Sequence, residues 1–507
     1  MEDNTEKTMT KRTDTGMDTN YADRSYQRSL FLVYLKSVRD VLGPDARVNL
    51  FNSLSRGLYT EIDCDKKINK ARLDKIRERM QYYVDADMPI TSKVFGKKTL
   101  DTYLDEIDEN SGSIELLKGA PGISKVAVYE LDGYSNFFYG NLRKSTGGLK
   151  LFDIVPYMDG VLLRYPHPSD PKRLPNMPGD YKLFAAFKEG WYIAELCGLR
   201  FVADLNTDIE QGQSNEIIAL SERFHKAKTR RVAEMIHEKH KKVILVAGPS
   251  SSGKTTFSKR LINQLSEIGT EPLYLGTDDY FINRKDIALG PDGKPDFESV
   301  NAIDIELFDK NITDMLDGKE ADLPIFDFIK GEKQFGKRFT TLEEDQPVVV
   351  EGLHALNPLL YEKLPDKAVF KVYISPLTQL NLDDHNRIPT TDIRLIRRIL
   401  RDVRTRGYTP EHTINTWQKV REGENVYVFP YCDEADIVFN SALLYELPVL
   451  KRHAESLLKC IKKESEAYED ALRLLDFLSL FRVMDKKDEA AIPRDSILRE
   501  FIGGGFI

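Results

Sequence analysis

Cysteine is scarce in this chain: Cys64, Cys197, Cys432 and Cys460 lie far apart among 507 residues, and none belongs to a Cys-x-x-Cys pair. That excludes a disulfide framework or a zinc ribbon as the organising device, and the four read as reduced, packed thiols. Long apolar runs are missing too. No stretch approaches the length of a membrane span, and the first 28 residues, rich in Thr, Asp, Lys and Arg, lack the apolar core of a secretion signal. A cytoplasmic protein without a membrane partner is expected. Excess positive charge is also absent. The formal net charge of -8 argues against a chain built mainly to grip nucleic acid. There is no internal repeat and no low-complexity tract.

Hydrophobic residues make up 41% and charged residues 30%, the balance of a globular protein, over a length that calls for two or three domains. Residues 1–28 read as a flexible tail. Residues 29–213 read as an α+β domain. In it LFLVYLKSVRDVL and a charged amphipathic stretch over 65–107 predict helices, and GLYTEIDC, VAVYEL, LKLFDIV, GVLLRY, KLFAAF and RFVADL predict strands. Residues 214–242 form a linking helix whose many charges imply a solvated face. From Val243 the character changes. VILVAG, PLYLG, VVVEG and VFKVYIS are short continuous apolar runs alternating with helical segments, which predicts a doubly wound α/β domain with a parallel sheet over 243–447. Residues 448–507 read as a helical extension.

The strongest motif is Gly248-Pro-Ser-Ser-Ser-Gly253-Lys254-Thr255, which fits G-x-x-x-x-G-K-[ST] and lies between a predicted buried strand and a helix. Its glycines let backbone N–H groups and a helix N-terminus close on phosphate oxygens, Lys254 reaches the β and γ phosphates, and the Thr255 hydroxyl ligates Mg2+. Gly248, Ser250, Ser251, Ser252, Gly253, Lys254, Thr255 and Thr256 are therefore expected to hold a nucleoside triphosphate. Asp278 and Asp279 follow the second strand and Glu351 ends VVVEG, all at the carboxyl edge of the sheet, where such folds hold ligands. Phosphoryl transfer needs carboxylates to position Mg2+ and one to accept the acceptor's proton. Asp278 is assigned as base, with Thr255, Asp278 and Glu351 as the metal side. In TTDIRLIRRILRDVRTRG, Arg394, Arg397, Arg398 and Arg401 recur at helical spacing, and Arg404 and Arg406 extend the patch. They are expected to close on phosphate, with Arg397 and Arg401 acting on the moving group.

Together these residues resemble the uridine kinase and phosphoribulokinase family. The likeness runs from Val243 to Ala442 through GPSSSGKTTFSKRL, the TDDYF step, LPIFDF, VVVEGLHALNP and RLIRRILRDVRTRG. It implies an ATP- and Mg2+-dependent kinase of a small-molecule nucleoside, with Asp278 as base, Glu351 assisting the metal and the arginines near 397–406 on phosphate. Asp278, Tyr280, Phe281, Glu298, Phe326 and Phe328 would contact the acceptor. Two positions depart from the family. Glu298 stands where pyrimidine kinases carry a ribose-binding aspartate, and Lys330-Gly331 stands where a base-reading histidine is usual.

The first half, from about Ser29 to Leu205, resembles the second additional (editing) domain of threonyl-tRNA synthetases through LSRGLYTEI, KARLDKIRERM and YGNLRKSTGGLKLFDI. That domain holds a metal with HxxxH and CxxxH pairs. Here Ser29, Val33, Phe138 and Leu142 occupy those positions, and no histidine precedes His167, so a scaffold, dimerisation or regulatory role is expected instead of editing. Kinases of this family fused to such a domain occur in bacteria, with an end similar to IPRDSILREFIGG. The alternatives are a kinase for another small hydroxyl compound such as a sugar phosphate, and a regulatory NTPase. No N-K-x-D guanine reader is present, and a homo-oligomer is compatible with the sequence.

Overall fold

The expected apolar runs after Val243 do become strands, and the first of them, VILVA, is buried throughout. In a computed structural model, which describes residues 19–505 except 55–56, 97–98, 101–103, 105–110, 124, 167–169, 176, 178–180, 291–292 and 294, the chain divides into two units. One comprises residues 1–118, 124–178 and 382–387, the other residues 119–123, 179–381 and 388–507.

In the first unit, β1 (Arg47–Leu54), β2 (Gly57–Asp63), β6 (Asp153–Tyr157) and β7 (Gly160–Arg164) make an antiparallel sheet ordered β1-β2-β7-β6. A second antiparallel sheet joins β3 (Thr91–Gly96), β4 (Lys125–Leu131) and β5 (Tyr134–Phe137). Helices α1 (Thr19–Leu42) and α2 (Lys70–Asp85) supply much of the apolar core: Leu30 to Leu35 of α1 are all buried, and α2 buries Leu73, Ile76, Met80, Tyr83 and Val84 at helical spacing. Asn69 caps α2, its side chain accepting from Arg72 N–H.

The second unit centres on a five-stranded sheet, all parallel, ordered β16-β15-β8-β14-β9. Its strands are β8 (Val243–Ala247), β9 (Leu273–Gly276), β14 (Val348–Glu351), β15 (Val369–Ser375) and β16 (Ile437–Asn440). Every residue of β8 is buried, as the uninterrupted VILVA run requires of a central parallel strand. Because the chain leaves β8 for β9 on one side and later crosses to β15 on the other, the strand order reverses beside β8, and ligands gather outside the carboxyl ends there. Two short antiparallel pairs, β10 (Ala321–Asp322) with β13 (Phe339–Thr340) and β11 (Ile325–Asp327) with β12 (Glu332–Gln334), lie between β9 and β14 in sequence. The fold is the doubly wound α/β class expected, accompanied by an α+β unit.

Several boundaries differ from the sequence expectation. Residues 1–18 of the expected tail lie outside the described residues, and the part from Thr19 is already helix. The helix expected over 65–107 stops at Asp85, and β3 follows. The expected strands KLFAAF and RFVADL are helices, α3 (Tyr181–Leu196) and α4 (Val202–Glu210), and they belong with the kinase unit. A short apolar run cannot by itself choose between strand and buried helix, and tertiary packing decided here. The expected linker is α5 (Ser214–Glu238), and it is no solvated spacer. It buries Ile217, Ile218, His225, Val232, Ala233 and Ile236, and its buried Glu222 carboxylate accepts from Arg260, from Tyr445 Oη at 2.7 Å and from Ser496. No helix among the described residues is long and apolar enough to cross a membrane.

Candidate active site

The loop after β8 has the geometry its sequence promises. A Cβ on Gly248 would lie 2.1 Å from the Ile374 carbonyl oxygen, so only glycine lets β8 pass its neighbour there. Ser251 and Gly253 have φ of 59° and 89°, left-handed values that curl the backbone ahead of α6 (Lys254–Ser266). The result is a run of N–H groups at a helix N-terminus.

Lys254 reaches back to the Pro249 carbonyl at 3.3 Å. Burial lowers its pKa, and the charges of Glu351, Asp278 and Glu500 oppose that shift. The structure thus gathers three expected residues, Lys254, Asp278 and Glu351, at one carboxyl edge of the sheet. Thr255 Oγ1 donates to Glu351 Oε2 at 3.1 Å, and Tyr274 Oη donates to the same oxygen at 3.0 Å. Burial raises the Glu351 pKa, against the pull of Lys254. These are hard oxygen donors, the kind Mg2+ takes as one or two protein ligands beside phosphate oxygens.

The neighbouring aspartates separate cleanly. Asp279 accepts from Phe326 N–H at 3.4 Å and from Arg338 at 3.3 Å, a role in fixing the loop. Asp278 is exposed and acts electrostatically on both Lys254 and Glu351.

The arginine row on α8 (Thr390–Arg401) divides in two. Arg394 is buried; its Nε donates to the Ser250 carbonyl at 2.9 Å, and Nη2 pairs with Glu424. Arg397 is fully buried, donating to Glu446 at 2.8 Å and to the Ser441 carbonyl at 3.0 Å, so the structure does not set it among phosphate-facing groups. Arg398 Nη1 donates to Ser250 Oγ at 2.9 Å, and Arg401 donates to Asp402 at 3.0 Å. Arg404 donates to the Glu500 carbonyl, and Arg406 lies 3.8 Å from Asp402 in the π-helical turn Asp402–Arg406. One face was expected to present four guanidinium groups; all four pair with buried carboxylates, Arg394 with Glu424, Arg397 with Glu446, and Arg398 and Arg401 with Asp402, but only Arg394 and Arg397 are themselves buried.

On the acceptor side, Tyr280 is buried against α7 (Ile305–Leu316), its hydroxyl accepting from Asn311 at 3.1 Å and its ring edge-on to Phe308, so the structure places it in the core. Phe281, Phe326 and Phe328 form one aromatic cluster with Phe297, with Phe328 the exposed member. Glu298 is partly buried. Burial lifts its pKa to about 7, with Arg398 pulling downward and Glu424 and Asp296 pushing up.

Three contributors were not foreseen. Glu424, on α9 (Pro410–Tyr427), accepts from the Ser250 N–H at 2.8 Å. Glu500, on the short helix Arg499–Ile502, accepts from Thr256 Oγ1 at 2.8 Å, and Ile497 packs where a Cβ on Gly253 would stand. His354 is buried just beyond Glu351. His354 lies within VVVEGLHALNP and Glu500 within IPRDSILREFIGG, but neither string assigns the residue a role, and Glu424 and Glu500 reach the phosphate loop through tertiary contacts that a local pattern cannot carry.

A phosphate cradle with a lysine and two carboxylates at the edge of a parallel sheet defines a P-loop phosphotransferase acting on an alcohol acceptor. Residues 243–444 match the model of the phosphoribulokinase / uridine kinase family. A uridine kinase of Ligilactobacillus salivarius is 30% identical over 206 residues, covering 40% of this chain and 87% of that one. A uridine kinase of Deinococcus deserti is 30% identical over 197 residues, covering 39% and 86%. An Arabidopsis thaliana protein named inorganic pyrophosphatase TTM2 is 28% identical over 187 residues, 36% of this chain and 24% of that one. The chain belongs to the phosphoribulokinase / uridine kinase family.

Proposed function

We propose that this protein is an ATP- and Mg2+-dependent nucleoside kinase that phosphorylates the 5'-hydroxyl of a nucleoside of the uridine or cytidine type. The observation that carries the reading is the convergence of Asp278 and Glu351 on Lys254 at the mouth of the phosphate loop. In this reading Asp278 takes the proton from the acceptor hydroxyl as its oxygen forms a bond to the γ-phosphorus. The bond from that phosphorus to the β–γ bridging oxygen breaks, and the diphosphate leaves. Lys254 and the loop N–H groups hold the departing phosphates, while Arg398, Arg401, Arg404 and Arg406 supply positive charge for the equatorial oxygens. Thr255, Asp278 and Glu351 would hold Mg2+, which supplies charge neutralisation between the β and γ phosphates when bound.

For the N-terminal unit a scaffolding or regulatory role is proposed. Where a tRNA-editing domain would carry metal ligands, Ser29, Val33 and Phe138 are buried and Leu142 is partly buried against the apolar core.

The test is transfer of labelled phosphate from ATP to a panel of nucleosides, free sugars and sugar phosphates. Label is expected on a nucleoside with the native chain and nowhere with Lys254→Ala, whose melting temperature should stay unchanged. Label only on a sugar phosphate refutes the acceptor assignment; near-normal turnover by Lys254→Ala refutes the site.

A further inference from the structure

His354 is 2% exposed, and neither Nδ1 nor Nε2 has a hydrogen-bond partner among the described residues. A buried imidazole left in that condition costs about 1–3 kcal/mol, so an orphan of this kind calls for a function. Its place is informative. The residue follows Glu351 by three positions at the carboxyl edge of the sheet, and its ring stands edge-on to Tyr427, with centroids 5.8 Å apart and planes at 83°. Tyr427 ends α9, the helix that also brings Glu424 to the phosphate loop. One turn earlier on α9 is Gly423, whose added Cβ would stand 2.7 Å from Glu298 Cβ, so the Glu298 stem packs directly on that backbone. Positions 423, 424 and 427 share one helical face. One face of α9 therefore holds Glu298, the phosphate loop and His354 together, and Lys254 acts electrostatically on both Glu298 and His354.

We propose that His354 is an acceptor-binding residue that works with Glu298 to hold the hydroxyl groups of an uncharged polyhydroxyl acceptor beside Lys254. The inference rests on the kinase reading above and narrows its substrate class. Burial and the Lys254 charge hold the imidazole pKa down to about 4, so the ring is neutral and offers one N–H donor and one nitrogen acceptor. Glu298 offers carboxylate oxygens. Such a pair suits hydroxyl groups, which both donate and accept. It does not suit an acceptor bearing phosphate at that end, because neither member of the pair is a cation, Glu298 repels an anion, and the two cations that act on the pair are engaged with the phosphate loop, Lys254 with the Pro249 carbonyl and Arg398 with Ser250 Oγ. A free nucleoside or free sugar fits; a sugar phosphate does not.

The experiment is steady-state kinetics of the full chain, with MgATP and each acceptor of the panel varied separately, for the native protein, His354→Phe and His354→Gln. Phenylalanine keeps the ring packing on Tyr427 and removes the hydrogen bonds; glutamine keeps a donor and an acceptor. With the native chain active on a nucleoside or free sugar, the acceptor KM is expected to rise about tenfold or more in His354→Phe. The ATP KM should stay within about twofold, and His354→Gln should recover part of the loss. An unchanged acceptor KM in His354→Phe overturns the proposal. So does a fall in melting temperature with both KM values moving together, which makes the histidine a packing residue. Turnover confined to sugar phosphates overturns the substrate class. The nucleoside reading fails separately: a native enzyme that uses free sugars alone refutes nucleoside kinase and leaves His354 in its assigned role.

Discussion

Glu298 meets two opposing demands, and the balance between them sets when it can work. Contact with α9 strips water from its carboxyl and favours the protonated form; the Arg398 guanidinium favours the charged form; the net result is a pKa near 7 against an ordinary 4.5. The unfolded chain releases this proton around 4.5, whereas the folded chain keeps it until about 7, so between those values the folded state binds more protons. The stability contributed by Glu298 is therefore complete below about 4.5 and is lost as pH rises through 7. Glu298→Gln removes the titration. Subtracting the variant's unfolding free energy from that of the native protein, from urea midpoints at pH 5, 6, 7 and 8, should give a difference that declines with pH. A flat difference would show that the carboxyl titrates alike in both states. The same group gains its full capacity to accept hydroxyl hydrogen bonds only above pH 7, so the native acceptor KM should fall over the range in which stability declines.

Helix α8 concentrates arginine for two separate reasons, and the element shows how much a sequence can convey. Its inward arginines are structural. Removing Arg397 leaves Glu446 buried, and although burial already raises that carboxyl's pKa and eases its neutralisation, the lost pair should cost about 3 kcal/mol. Arg397→Ala should accordingly lower the urea midpoint and the melting temperature. Arg401, whose charge acts on Lys254, should behave differently: Arg401→Ala lowers kcat by about tenfold or more with a much smaller fall in melting temperature, because its buried partner Asp402 keeps Arg398 and Arg406. Equal melting temperatures for the two variants would refute the division. The helix and its arginine spacing were legible because both are local patterns. Which arginines turn inward was not, since that depends on Glu424 and Glu446, 30 and 49 positions further along the chain. The same distinction runs through the fold. VILVAG and the phosphate loop were readable from neighbours alone. KLFAAF and RFVADL were misread because a six-residue apolar run satisfies strand and helix equally, and the structure packs Phe184, Ala186 and Phe187 on one buried helical face. Glu424 carries no local signature, and the strings that contain His354 and Glu500 do not by themselves tell what those side chains meet.

The two units are not consecutive in sequence, and this shapes how the molecule must fold. Residues 382–387, which connect β15 to α8, are counted in the N-terminal unit. Within it Leu382, Asp383, His385 and Asn386 are all buried. Asn386 Oδ1 accepts from the Tyr139 N–H at 2.8 Å, its Nδ2 donates to the Phe137 carbonyl at 3.1 Å, and the Asp384 carbonyl accepts from Leu50 N–H at 2.9 Å. The ring of His385 lies edge-on to Phe31, and its Nδ1 is 2.8 Å from Asn136 Nδ2. A chain of residues 179–507 would keep every strand of the parallel sheet yet expose this segment, leaving its polar groups to water and its apolar groups unburied. The loop it frees leads directly into the helix that carries Arg398 and Arg401. The excised chain should therefore fold less stably, with a lower melting temperature than the kinase unit shows within the full chain, and its kcat should fall by more than its ATP KM rises, because the phosphate loop and Lys254 lie elsewhere in the sequence while the chain that enters α8 is freed. Calorimetry and kinetics on the two chains decide it. Identical melting and identical kcat would mean that residues 382–387 only rest against the N-terminal unit and constrain nothing.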